Sequence, residues 1–269
     1  VSAVTVVTGA GSGIGRALAL ARAAAPGARL ALCDRDGARA EDTAAACRAL
    51  GADAFAQAVD VADPDAVHAF AAEVERAFGA AHLVVNNAGV SWTGAFEGSE
   101  REAFDWVMGV NFWGVVHGSR AFLPLLRRSA PAGLVQISSI FGLIGMPTQT
   151  AYCASKAAVR AFGESLRAEL HGSGVRVHLV HPGAVATRIA EDARYTDAGP
   201  LAPVVDPNRA RRLIARGMPP ERAAAQILRG VARGDDRILV GRDAVLLDLL
   251  QRAFPVGYAH LLRWGQRWV

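Results

Sequence analysis

Seven short apolar runs recur along this chain, each separated from the next by a stretch of helical periodicity, and that alternation admits few architectures. The runs fall at 3–7, 29–33, 54–59, 82–85, 133–137, 175–180 and 237–240. Helical patterns fill the intervals: one reaches residue 25, others lie near 37–50, 64–78, 152–171 and 221–233, and a long one ends near residue 127. The runs are almost continuously apolar rather than alternating, so each strand is expected to be covered on both faces, as in a parallel sheet flanked by helices. The expected fold is α/β, a doubly wound parallel sheet of about seven strands with right-handed crossovers.

Composition sharpens this and removes several function classes. Of 269 residues, 52% are hydrophobic and 20% charged, which is enough apolar material for one domain spanning 1–269 and too much for a disordered chain. No internal repeat or low-complexity linker marks a second domain. A net charge of +4 is too thinly spread for a nucleic-acid footprint, so no nucleic-acid partner is expected. No run approaches the about 18 apolar residues of a membrane span, and Val1 leads straight into a strand-like stretch; a cytoplasmic location is the expectation. Cys33, Cys47 and Cys153 lack metal-ligand spacing and read as reduced thiols, with no metal site.

The turn after the first run is Thr8-Gly9-Ala10-Gly11-Ser12-Gly13-Ile14-Gly15. Between a strand and a helix, such glycines permit a tight turn and close backbone approach, and the helix N-terminus faces a pyrophosphate. Asp34 ends the next strand, placed to accept hydrogen bonds from an adenosine ribose. Its charge repels a ribose 2′-phosphate, which favours NAD over NADP, whereas the neighbouring Arg35 could attract that phosphate.

With these residues the chain resembles the short-chain dehydrogenase/reductase family, whose Thr-Gly-x-x-x-Gly-x-Gly signature stands here at Thr8 to Gly15. The resemblance runs nearly end to end and implies a Rossmann fold. It assigns Asp60-Val61 to the adenine side, Asn87-Ala88-Gly89 (within Asn86-Asn87-Ala88-Gly89) to the cofactor cleft, and Pro182-Gly183 with Val185 and Thr187 to the nicotinamide-side loop.

Tyr152 and Lys156 are four residues apart and share one face of a helix. A phenol of ordinary pKa about 10 is a poor base at neutral pH, and a neighbouring ammonium favours phenolate, so Lys156 is expected to lower the pKa of Tyr152. Lys156 is also the only lysine among 29 basic residues, the remainder being arginine. That exception suits a role needing a compact, tunable ammonium. The resemblance adds that Lys156 holds the nicotinamide ribose, that Ser139 orients substrate and that Asn111 supports a proton relay to the lysine. Ser138 competes with Ser139, but the spacing to Tyr152 favours Ser139. His178 and His181 lie on a strand without a nucleophile motif and read as structural.

Trp92, Phe96, Ile140, Phe141, Met146 and Ile189 flank these motifs and are candidates to line an apolar pocket, which favours a hydrophobic ketone or secondary alcohol. The reading is an NAD-linked oxidoreductase for such a pair. Its alternatives are an NADP-linked carbonyl reductase using Arg35 and a non-catalytic NAD-sensing or scaffold protein. Ala154, Ala157, Ala158 and Ala161 make a flat helix face, and the resemblance implies a homodimer or homotetramer through it and the helix of Asn111.

Two segments stand outside the pattern. Residues 188–220, rich in Arg, Pro and Asp, read as a variable substrate loop with one short helix. Residues 243–269 form a helical C-terminal extension broken at Pro255. It lacks the Val-Asp-Gly-Gly-like ending of the acyl-carrier-protein ketoreductases. Its Leu246, Leu249, Leu261, Leu262, Trp264 and Trp268 interleave with Arg252, Arg263 and Arg267, a pattern that suits its own core, a second subunit or a peripheral membrane contact.

Overall fold

A computed structural model describes residues 3–196 and 207–260. The chain lays down β1 (Val4–Thr8), α1 (Gly13–Ala23), β2 (Arg29–Asp34), α2 (Gly37–Ala49), β3 (Asp53–Ala58) and α3 (Pro64–Phe78) on one side of β1. It then crosses to the other side with β4 (Leu83–Asn86), a two-residue strand β5 (Trp92–Thr93), α4 (Arg101–Met108), α5 (Gly114–Arg128), β6 (Ala132–Ile137), α6 (Thr150–Glu169) and β7 (Val175–Pro182). The strand β8 (Arg194–Tyr195), α7 (Pro207–Ala215), α8 (Pro220–Arg233), β9 (Arg237–Val240) and α9 (Arg242–Ala253) follow. Seven strands form one parallel sheet in the order β3-β2-β1-β4-β6-β7-β9. The order reverses between β1 and β4, and a crevice opens at the carboxyl ends of the strands there.

Alternation along each strand sorts the side chains into two cores. Val4, Val6, Ala31 and Cys33 pack with Phe70, Val74 and Phe122 on one face, while Val7, Leu30 and Leu32 pack with Leu18, Cys47 and Ile227 on the other. This is why the strands read as continuous apolar runs. α3 starts on a short polar cap, where the Asp63 carboxylate accepts from the N–H groups of Asp65 and Ala66 ahead of Pro64, and Gly79 ends it in the left-handed region at φ 68°.

Two features depart from the pattern-based expectation. The long helix expected to end near residue 127 is divided by a π-helical turn, Gly109–Trp113, where the Gly114 N–H reaches back to the carbonyl of Gly109. Such turns insert one residue into the helical ladder and re-aim a side chain, here that of Asn111. Within 188–220, β8 pairs with β5 in a small parallel sheet, and α7 is the expected short helix. Residues 197–206 of that loop and Leu261, Leu262, Arg263, Trp264, Arg267 and Trp268 of the extension lie outside the described residues. Among the described residues no helix is long and apolar enough to cross a membrane.

Removing the α3 cap tests whether the local signal contributes to the fold. Asp63→Ala is expected to lower unfolding free energy by about 1 kcal/mol in urea titrations, with the denaturant slope unchanged.

Candidate active site

Beyond their last paired residues, β1 and β4 are joined by side chains. Thr8 Oγ1 accepts from the main-chain N–H of Asn87 (3.0 Å) and Ala88 (3.1 Å), and Asn87 Nδ2 donates to the carbonyls of Thr8 (2.9 Å) and Gly9 (3.1 Å). The first turn of α1 presses onto this seam so closely that a Cβ at Gly15 would stand 2.2 Å from the Gly9 oxygen. No acidic residue occupies that first turn, and the Ser12 side chain makes no cap, so the positive helix end is open to an anion.

The crevice continues towards the adenine side through Asp34. Its Oδ2 accepts from Gly11 N–H at 2.9 Å and its Oδ1 from Asp36 N–H at 3.0 Å, which fixes an anionic acceptor beside the glycine turn. Arg35 is exposed next to it, and Arg39 is paired with Asp36 at 3.0 Å. Asp60 turns its carboxylate to Ala62 N–H at 2.9 Å. Across the crevice, Thr187 lies against Gly13, with its Cγ2 3.0 Å from where a Cβ would stand. Arg39 and Asp192 approach to 3.8 Å and link the same two sides.

At the other end, α6 carries Tyr152 and Lys156 one turn apart, with the lysine Nζ 5.7 Å from the phenol ring centroid. Lys156 is 3% exposed, and its Nζ donates to the Ile137 carbonyl at 3.0 Å. Burial pulls its pKa down to about 8. Burial also pushes Tyr152 up to about 12, partly countered by a hydrogen bond with Ser139. The expected lowering of the Tyr152 pKa is thus not met in the chain by itself, because removing the phenolate from water outweighs the one lowering influence, the hydrogen bond with Ser139.

The adjacent serines have different duties. Ser138 Oγ donates to the Lys156 carbonyl at 2.8 Å inside the core, whereas Ser139 faces Tyr152 and accepts from Phe141 N–H at 3.1 Å. Asn111 is fully buried. Its Oδ1 accepts from Val90 N–H at 2.8 Å, and its Nδ2 donates to Val90 O and Ser155 Oγ, both at 3.0 Å. Its side chain therefore braces α6 without a hydrogen bond to Lys156. The two are nonetheless neighbours: a Cβ at Gly89 would lie 3.2 Å from Asn111 Oδ1 and 3.3 Å from Lys156 Nζ.

Other candidates fall elsewhere. The side chains of Val61 and Val185 belong to the two cores, leaving only their main chains for a ligand. Trp92 and Ile140 are also buried, 1% and 4% exposed, and pack into small apolar clusters. Phe141 does reach the site, edge-on to Tyr152 at 6.2 Å, while Met146 and Ile189 are half-buried and Phe96 is exposed. His178 bonds the Asp235 carbonyl and His181 the Ser139 carbonyl, in keeping with structural roles; burial lowers His181 to about 4 and keeps it neutral.

These residues fit a nicotinamide dinucleotide. A buried ammonium with one carbonyl acceptor has donors left for hydroxyls, Asp34 offers an acceptor at the far end, and the glycine turn admits a diphosphate between them.

A profile of the family described as short chain dehydrogenase matches residues 3–198. SadH of Mycobacterium tuberculosis, named as an oxidoreductase, is 42% identical over 267 residues, covering 97% of this chain and 94% of its own length. Dehydrogenase/reductase SDR family member 7B of Bos taurus is 36% identical over 253 residues, covering 92% and 74%. Among solved structures, a short chain dehydrogenase/reductase from Burkholderia phymatum in complex with NAD superposes with a TM-score of 0.86 at 32% identity, covering 94% of this chain and 93% of that one.

The lowered pKa of Lys156 has a stability consequence. The unfolded chain holds this proton up to about pH 10.4 and the folded chain only to about 8, so stability is lost as pH falls through that window and the full penalty applies below it. Lys156→Met is expected to be about 1–3 kcal/mol more stable than wild type at pH 7 without cofactor, allowing for the lost hydrogen bond. In thermal or denaturant melts that advantage should shrink towards pH 10.

Proposed function

The chain belongs to the short-chain dehydrogenase/reductase family of oxidoreductases, and from its site we propose that it interconverts a hydrophobic secondary alcohol and its ketone with NAD. The observation that carries this reading is the grouping of Ser139, Tyr152 and the buried Lys156 beside the crevice of the switch point.

Bound NAD supplies the hydride acceptor and, in its oxidised form, a positive ring. The chain's own task is to control one proton and one oxygen. Tyr152 takes the alcohol proton on its Oη during oxidation and returns it during reduction. Ser139 Oγ holds the same substrate oxygen, fixed in place by the Phe141 N–H. Lys156, mostly protonated at pH 7, favours the phenolate once the second positive charge is present and offers its remaining donors to the ribose. Asn111, through Ser155 and Val90, keeps that turn of α6 in register with the loop after β4. Its place in a proton relay rests on the family resemblance. Phe141, edge-on to the Tyr152 ring, supports an apolar substrate.

Asp34 supports NAD as the cofactor, since a 2′-phosphate beside it would meet a fixed carboxylate. The exposed Arg35 is what favours the second reading, an NADP-linked carbonyl reductase. A homo-oligomer is supported by the exposed Ala154, Ala157 and Ala161 of α6 and by Trp113, 51% exposed at the end of the π-helical turn.

Tyr152→Phe should reduce turnover about 10²- to 10⁴-fold across a panel of apolar alcohols and ketones while NADH titrations stay near wild type. Retention of half the wild-type rate would remove Tyr152 from the mechanism.

NADH should bind more tightly than NADPH at fixed ionic strength, and Asp34→Ala should narrow the difference by removing the repulsion. Equal or tighter binding of NADPH by the wild-type chain would instead support the reductase reading.

A further inference from the structure

Two polar side chains near the end of the described chain reach back to the loop before α6 and the loop after β7. Asp243, in the first turn of α9, accepts from the Ala184 N–H through Oδ2 at 2.6 Å. The Tyr258 hydroxyl accepts from the Gly145 N–H at 2.9 Å. Ala184 belongs to the loop that leaves β7 and carries Thr187 to the crevice. Gly145 lies between Ser139 and Tyr152. Ala244, Leu247 and Tyr258 pack with Ile140, Phe141 and Ile144 in the space between these anchors.

The loop after β7 has most of its main-chain groups already paired. Gly183 N–H donates to the Val240 carbonyl, Met218 N–H to the Ala184 carbonyl and Ala186 N–H to the Met218 carbonyl, each at 2.9 Å. The Ala184 N–H is the donor between them, and Asp243 takes it. Two glycines make room for the carboxylate: a Cβ at Gly183 would stand 2.1 Å from Oδ2, and one at Gly241, at φ 101°, 2.3 Å from Oδ1. A helix-terminus acid that served only the macrodipole would need neither the slot nor the acceptor geometry.

We infer that Asp243 and Tyr258 are positioning residues, through which α9 and the segment that follows it brace the cofactor-side loop (183–187) and the substrate-side loop (142–149) against each other. The inference rests on the dehydrogenase reading of the site. It is specific about division of labour: Asp243 acts on cofactor binding, Tyr258 on substrate binding.

The test uses full-length chains carrying Asp243→Ala, Asp243→Asn or Tyr258→Phe, with amide hydrogen exchange measured without cofactor, NADH titrated by fluorescence, and KM separated from kcat. Asp243→Ala should speed exchange within 183–187 and raise the NADH dissociation constant by about 3- to 10-fold, with kcat much less affected. Asp243→Asn, whose amide oxygen still accepts, should reverse both changes, an outcome that a macrodipole role would not give. Tyr258→Phe should speed exchange within 142–149 and raise the substrate KM rather than the NADH dissociation constant. If Asp243→Ala fails to fold, Gly241→Ala provides an independent disruption from outside the loop, since its Cβ would displace the carboxylate, and the same loosening is expected. Wild-type exchange in 183–187 for the disrupted variant, or faster exchange with an unchanged NADH dissociation constant, overturns the inference. If the wild-type chain does not bind NADH, the dehydrogenase reading falls on that result, while the exchange comparison still decides whether Asp243 holds the loop.

Discussion

Much of the site is organised around one ammonium group withdrawn from water. Lys156 is nearly inaccessible, its Nζ meets the Ile137 carbonyl, and burial moves its proton affinity towards neutrality. Such a group persists only where its surroundings leave it no other place. Ser138 holds the Lys156 main chain, Asn111 holds Ser155 one residue earlier, and Gly89 lets the loop after β4 close against both. The two apolar cores on either face of the sheet provide the stability that this arrangement spends.

The same buried polar framework explains the division of labour between neighbouring residues that look alike in sequence. Ser138 and Ser139 follow one another at the end of β6, and one meets the main chain of α6 at Lys156 whereas the other meets the Tyr152 side chain. Asn86 and Asn87 split in the same way. Asn86 joins a buried cluster with Ser119 and Gln136, whereas Asn87 binds the carbonyls of the glycine turn. In each pair a side chain that stabilises the interior stands next to one that shapes the crevice.

The strands were legible because burial on both faces writes continuous apolar runs, and the glycine turn, Asp34, Tyr152 and Lys156 were legible because their chemistry depends on local spacing. What escaped the sequence depends on distant encounters or on the degree of burial. The π-helical turn at Asn111 is fixed by its bonds to Val90 and Ser155, 21 and 44 residues away. Trp92 passes for a pocket residue until Val107 and Ala151 are seen around it. Asp243 reads as an ordinary first-turn acid, and only the fold reveals Ala184, 59 residues earlier, as its partner. The direction of the Tyr152 shift likewise turns on burial, which residue spacing does not report.

The parallel topology also sets an order of assembly. Thr8 finds Asn87 across 79 residues, and every strand pairing of the main sheet requires a completed crossover rather than a hairpin. Contacts of this range form slowly, because the intervening chain must be gathered before they return any stability. As the chain leaves the ribosome, β7 therefore presents an unpaired edge until β9 arrives, although all the groups around Tyr152 have by then been synthesised. The last strand of the sheet is thus a cover for a nascent aggregation surface as well as the lead-in to α9, and the groups gathered around Tyr152 wait for it.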